Sequence, residues 1–179
     1  IWWNWSEGNQ VPYASEFLPI FDDPTFKGWV DQGIDIVRLV LEATRRRGIE
    51  SFYAHRMNGS DNDMGPFAEL PMKVEHPDWM FRTPWCTHEN NGYWNFSLPQ
   101  VRDYVVRNLR EIAENYDFDG FDLDFARGCV FPSGQAWNNR NALTEFIQRV
   151  RETLLETAAA RGRPVLLSVR IPETVVGCH

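Results

Sequence analysis

The sequence contains no uninterrupted apolar run near the roughly 18 residues that a membrane-spanning helix requires, so no such span is expected. It opens Ile1-Trp2-Trp3-Asn4-Trp5, with neither an initiator Met nor the basic-then-apolar layout of a signal peptide, and is therefore expected to start inside a longer chain or after processing. Cysteine is scarce. Cys86, Cys129 and Cys178 are too widely spaced for a zinc ribbon and odd in number, so at most one bridge forms and the compartment is left undecided. Positive charge is in deficit, with 18 Lys and Arg against 25 Asp and Glu and a net charge of -7, a surface sign that repels phosphate backbones and argues against nucleic acid as a partner. Asp61-Asn62-Asp63 lacks the twelve-residue pattern and final Glu of a calcium loop.

What is present is an ordinary globular composition over 179 residues, 43% apolar and 24% charged, which sets the expectation of one domain over residues 1–179. The outlier is eight Trp, within 14% aromatics. Ile36, Val37, Val40, Leu41 and Thr44 form a helical stripe that ends in Arg45-Arg46-Arg47 and Gly48, predicting a helix over about residues 33–47. The aromatic-rich run Ile49–Arg56 reads as a strand stopped by Asn58-Gly59. Residues 59–98 carry no sustained period and are dense in Pro, Gly, Asn, Asp and Trp, a loop long enough to expect function from it. Ser97-Leu98-Pro99-Gln100 has capping-box form, and Val101, Val105, Leu109, Ile112 and Tyr116 continue as one helical face. Phe118–Phe125 reads as a strand. After a loop over residues 128–139, Leu143, Phe146, Ile147, Val150, Leu154 and Ala158 line a third helix before Gly162, and residues 164–172 close the pattern as a third strand.

Strand and helix alternate, with crossovers long enough to return each strand parallel to the last, so the expected class is α/β with a parallel sheet. No G-x-G-x-x-G or Walker pattern follows any strand, and polar residues gather at the strands' carboxyl ends, which favours the (β/α)8 TIM-barrel type over the nucleotide-binding doubly wound sheet. Three repeats are visible where a closed barrel has eight, so an N-terminal portion of the barrel is expected here.

Side chains alternate along a strand, placing Phe121, Leu123 and Phe125 on one face and Asp122 and Asp124 on the other. The apolar face must meet the helices, which leaves both carboxylates pointing inward near the barrel mouth. Two like charges about 6 to 7 Å apart in a confined site are unfavourable and are tolerated mainly where function needs them. The alternatives are a solvated edge strand and a metal pair. On the last strand Ser168 and Arg170 face inward by the same rule, whereas parity does not choose between the set Phe52, Ala54, Arg56, Asn58 and the set Tyr53, His55, Met57. Arg56 and Arg170 can neutralise an inward Asp and hold substrate hydroxyls, or form a structural ion pair. His55 alone reads as a packed core histidine. Trp2, Trp3, Trp5, Trp79, Trp85, Trp94 and Trp137 fall in stretches read as loops, and their flat rings suit the apolar faces of sugars.

Asp119-Gly120-Phe121-Asp122-Leu123-Asp124 resembles the D-x-x-D-x-D portion of the chitinase signature of glycoside hydrolase family 18, although Ala126 stands where that family has its catalytic Glu. A longer resemblance, over most of the chain, is to the bacterial family 10-like group of glycoside-hydrolase-like barrel proteins. It is carried by Arg56-Met57-Asn58, His76-Pro77-Asp78-Trp79, Trp94-Asn95-Phe96 with Val101-Arg102-Asp103-Tyr104, Asp119 to Arg127, and Arg163-Pro164 to Pro172. That resemblance implies a (β/α)8 glycosidase fold, a polysaccharide or oligosaccharide substrate, and Arg56, Asn58, Asp124, Arg127 and Arg170 as site residues with Asp122 beside them.

The resulting expectation is a glycoside hydrolase in which Asp124 is a catalytic carboxylate assisted by Asp122, with Arg56, Asn58, Arg127, Arg170, Trp85 and Trp94 binding substrate. No metal or cofactor is expected, and a periplasmic or extracellular location is. Glycoside hydrolysis usually uses two carboxyl groups flanking the bond, so a partner acid is expected from another strand, with Glu173 and Glu89 as candidates within the chain. A non-catalytic carbohydrate-binding barrel and a metal-dependent hydrolase or isomerase using Asp122, Asp124 and His55 are the competing readings.

Overall fold

The computed structural model describes residues 1–6, 10–59, 70–87, 91–126 and 128–172. Its centre is a four-stranded, all-parallel sheet in the order β1 (Trp2–Ser6), β2 (Phe52–Arg56), β5 (Gly120–Asp124), β6 (Leu166–Arg170). Each strand is joined to the next in that order by a crossover carrying helix: α1 (Pro24–Asp31) and α2 (Ile36–Arg45) before β2, α3 (Pro71–Glu75) and α4 (Pro99–Asn115) before β5, and α5 (Ala136–Arg161) before β6. Between α3 and α4 a two-stranded antiparallel hairpin pairs β3 (Met80–Phe81) with β4 (Tyr93–Trp94).

The core lies between one face of the sheet and the helices. Tyr53, Phe121 and Leu123 from the strands meet Val37 and Leu41 of α2, Val105, Leu109 and Ile112 of α4, and Phe146, Val150 and Leu154 of α5, all buried in one cluster. The α2 stripe is where the periodicity predicts it, but the helix starts at Ile36, because the Asp35 carboxylate accepts from Arg38 N at 3.0 Å and caps it there. The chain leaves α2 through Gly48 and α5 through Gly162, both in the left-handed region at φ 67° and 66°. Among the described residues no helix is long and apolar enough to cross a membrane.

Three sequence expectations change. Trp2, Trp3 and Trp5 belong to β1 rather than to a loop, with Trp2 paired to Phe52 and Trp3 to Tyr53, as the strand propensity of aromatic residues allows. The stretch 59–98 contains α3, a 3-10 turn at Pro77–Trp79 and the β3–β4 hairpin. The capping box at Ser97 does not form: α4 begins one residue later with Leu98 as its cap residue, and the Ser97 hydroxyl donates to Asn95 Oδ1 at 2.7 Å. The Arg102 guanidinium, almost fully buried, holds the turn instead through Phe96 O at 2.8 Å and Ser97 O at 3.0 Å.

At the amino ends of the strands, Arg45, Arg161 and Arg163 converge on Asp117, at 2.6 Å from Arg45 and 3.3 Å from Arg161, and Arg163 also reaches Asp119 at 3.0 Å. Burial works against the Asp117 charge, but the hydrogen bond from Arg163 and the three guanidiniums outweigh it and hold its carboxyl below the usual carboxylate range. The network ties α2, α5 and the approach to β5 together at the end of the sheet opposite the carboxylate pair.

Candidate active site

The sheet register assembles the site. Parallel neighbours in register point to the same face, so Arg56, Asp124 and Arg170 form one row across β2, β5 and β6, and Ala54, Asp122 and Ser168 form the row beneath it. The upper row consists of the last residue of each strand. Both rows lie on the face away from the helices, as alternation in Phe121–Phe125 predicts. The register also settles which β2 set faces this way: Ala54 and Arg56 do, whereas Tyr53 and His55 share the helix face with Phe121 and Leu123.

Asp122 and Asp124 are 5% and 7% exposed, so they do not lie on a solvated edge. Their mutual repulsion is answered by Arg170, whose Nη1 donates to Asp124 Oδ2 at 3.2 Å while Nη2 lies 3.3 Å from Asp122 Oδ2. The second of these contacts is close but poorly aligned, which leaves Asp122 Oδ2 buried without a hydrogen bond. Asp122 Oδ1 accepts from the Ser168 hydroxyl. Asp124 Oδ1 accepts from the backbone N–H of Ala126 at 2.9 Å, so both of its oxygens are acceptors. That N–H donor is a backbone group just past the strand, and no side-chain pattern announces it.

The other expected site residues divide. Trp85 is 76% exposed, as a sugar-stacking rim requires, but Trp94 is 2% exposed and packs against Trp79 and Tyr104, so it is a core residue and not part of an exposed rim. Asn58 is also buried, and its carboxamide is spent on the backbone: Nδ2 donates to Trp94 O and Cys129 O, and Oδ1 accepts from Trp94 N and Gly59 N. It has no bonding capacity left for substrate. His55 lies 2% exposed on the helix side, 3.4 Å from Tyr53 Oη, with desolvation pushing its pKa down to about 4. It therefore cannot share a metal with Asp122 and Asp124, which point the opposite way. Arg127, Glu89, Glu173 and Asp61-Asn62-Asp63 lie outside the described residues.

The profile of the family described as Glycosyl hydrolase-like 10 matches residues 2–155. The chain belongs to that family. The Bacillus subtilis (strain 168) protein named glycosyl hydrolase YngK is 27% identical over 115 residues, which is 63% of this chain and 22% of that protein. This chain thus spans about a fifth of that relative's length. Among solved structures, the α-L-fucosidase isoenzyme 2 from Paenibacillus thiaminolyticus aligns with a TM-score of 0.59 and 17% identity over 89% of this chain and 25% of its own. The galactosidase domain of the α-galactosidase-sucrose kinase AgaSK aligns with a TM-score of 0.50 and 14% identity over 77% of this chain and 18% of its own. At those identities the likeness is one of fold. With the parallel register and helical crossovers it makes these four strands a portion of a (β/α)8 barrel wall, and the row Arg56–Asp124–Arg170 its carboxyl-end mouth, where barrel enzymes place their chemistry.

Proposed function

We propose that this chain carries one wall of the active site of a glycoside hydrolase acting on a polysaccharide or oligosaccharide, with Asp124 as a catalytic carboxylate. The observation that carries the reading is the state of Asp124: buried at the carboxyl end of a central strand, with both oxygens already accepting hydrogen bonds, from Ala126 N–H and from Arg170. A carboxyl group so held suits the anionic role, nucleophile or stabiliser of an oxocarbenium-like transition state, rather than that of proton donor to the leaving group. The proton donor then comes from another strand, at the separation of about 5 to 5.5 Å that retention uses or about 6.5 to 9.5 Å that inversion uses. Glu173, just past β6, and Glu89 are the candidates within this chain. Asp122, one pleat deeper and itself held by the Ser168 hydroxyl, attracts the Arg170 guanidinium from below, while Arg56 and the outward part of Arg170 reach for sugar hydroxyls.

The test is Asp124→Asn in the full-length protein, assayed on a panel of glycans that the parent cleaves. Asn keeps the side chain's shape but supplies neither nucleophile nor anion, so kcat should fall by about a thousandfold or more while sugar affinity stays within about tenfold. Full turnover by the variant would sink the assignment. A non-catalytic carbohydrate-binding barrel is the second reading, favoured by Ala126 at the position where the family 18 motif has its acid. It is supported if the parent binds glycans without cleaving any.

A further inference from the structure

The carboxamide of Asn58 sits where three separate pieces of the barrel mouth meet. Its Nδ2 donates to Cys129 O at 2.7 Å in the β5–α5 loop and to Trp94 O at 2.8 Å in the β3–β4 hairpin, and its Oδ1 accepts from Trp94 N at 2.9 Å. Trp94 is thereby bound at both its N–H and its C=O, as by a neighbouring strand. The hairpin is held as well by Lys73 of α3, 3% exposed, whose ammonium donates to Gly92 O at 2.6 Å, lies 3.4 Å from Gly59 O beside Asn58, and sits 5.0 Å over the Trp94 ring. Against the backbone of Asn58 runs Gly128, where an added Cβ would come within 2.8 Å of Asn58 O, so the β5–α5 loop is seated on this residue as closely as a chain can be. The same loop begins with Ala126, the N–H donor to Asp124.

We propose that Asn58 is a positioning residue for Asp124: it fixes Cys129 and Gly128 in the loop whose Ala126 N–H orients the Asp124 carboxylate, and the N–H of the adjoining Met57 donates to Asp124 O at 3.1 Å. This rests on the reading of Asp124 as a catalytic carboxylate, and it gives Asn58 a role other than contact with substrate. A buried amide with all four bonds directed at backbone carries geometry and has nothing left to offer a sugar. Its influence on the reaction is a matter of distance, since displacing a catalytic group by about 1 Å costs on the order of a hundredfold in rate.

The experiment uses two variants of the full-length protein. Asn58→Ala removes the clamp, and Gly128→Ala pushes the loop off the Asn58 backbone while leaving the carboxamide intact, so it decides the matter if Asn58→Ala fails to fold. Each is measured by steady-state kinetics on a glycan the parent cleaves and by hydrogen exchange of the peptide that contains the Ala126 amide. The expected result is kcat lowered by about a hundredfold with KM within about threefold, together with exchange of that peptide accelerated at least tenfold. A raised KM with kcat unchanged would make Asn58 a substrate contact, and unaltered exchange would show that it does not hold the loop; either overturns the proposal. Should Asp124→Asn prove fully active, the reading of Asp124 fails by that result alone, and the proposal falls with it even if the exchange data support the clamp.

Discussion

Trp85 and Trp94 come from the same stretch of chain and read alike in sequence, yet one is 76% exposed and the other 2%. In the full-length protein Trp94→Ala should cost about 3 to 5 kcal/mol of stability, because it empties a buried aromatic site beside Trp79, Tyr104 and Lys73. Trp85→Ala should cost within about 0.5 kcal/mol and instead weaken oligosaccharide binding. Urea unfolding and glycan titration of the two variants separate the roles, and an equal loss of stability in both would refute the contrast. The difference is illegible in the sequence because Trp94 is held and covered by residues of other elements, the Asn58 carboxamide after β2, Lys73 of α3 and Tyr104 of α4. Asp122 and Asp124 were legible because their orientation follows from local alternation alone. His55 is a core residue, as its isolation from other metal-ligating groups in the sequence predicts, and it carries a pH signature. Its folded pKa, near 4, lies below the ordinary value of about 6.5, so between those limits the unfolded chain binds a proton that the folded one does not. The stability it permits is therefore complete above about pH 6.5 and falls by up to about 3 kcal/mol as the pH drops to 4. His55→Leu should flatten that part of the stability profile, and an unchanged slope would show that His55 titrates normally.

At the scale of elements, the strands with a clear alternation, β5 and β6, and the helices with a clear stripe, α2, α4 and α5, were readable from their own residues. β1 was not, because Trp2-Trp3-Asn4-Trp5 offers no alternation of its own and becomes a strand through pairing with β2, fifty residues on. The β3–β4 hairpin leaves no sequence pattern for a similar reason, since each of its strands has two residues and is fixed by Asn58 and Lys73. Packing between strands also explains a glycine. Gly120 lies beside Phe52 in the lowest inward row, and a Cβ there would come within 2.3 Å of the Phe52 ring, so Gly120 is the space into which that ring fits. Gly120→Ala should destabilise the sheet by about 1 to 3 kcal/mol, the range for overpacking. In a Phe52→Ala background the same change should cost close to nothing. A double-mutant cycle in denaturant measures this directly, and an equal cost in both backgrounds would place the effect in the backbone instead.

For the whole molecule, the sheet among the described residues has two outer strands, β1 and β6, each with one side unpaired. The apolar surface is unfinished in the same places: Trp2 is 58% exposed, Leu166 51% and Ile171 67%. Beside β6 an apolar cavity of about 400 Å³, lined by Phe131, Leu143, Ile147 and Val169 among others, opens on the helix side. A barrel closes by pairing its edge strands and covering each strand with the helix that follows, so these features are where further barrel wall belongs. Residues 1–179 expressed by themselves should accordingly bind a hydrophobic dye, self-associate in sedimentation and unfold over a broad temperature range, whereas the full-length protein should do none of these. The Arg45, Arg161, Arg163 and Asp117 network acts at the amino ends of the strands and does not cover the exposed edges, so it cannot compensate. A monomer with one sharp, cooperative thermal transition would count against the chain being an incomplete portion of barrel, because four parallel strands with two open edges would then be sufficient by themselves.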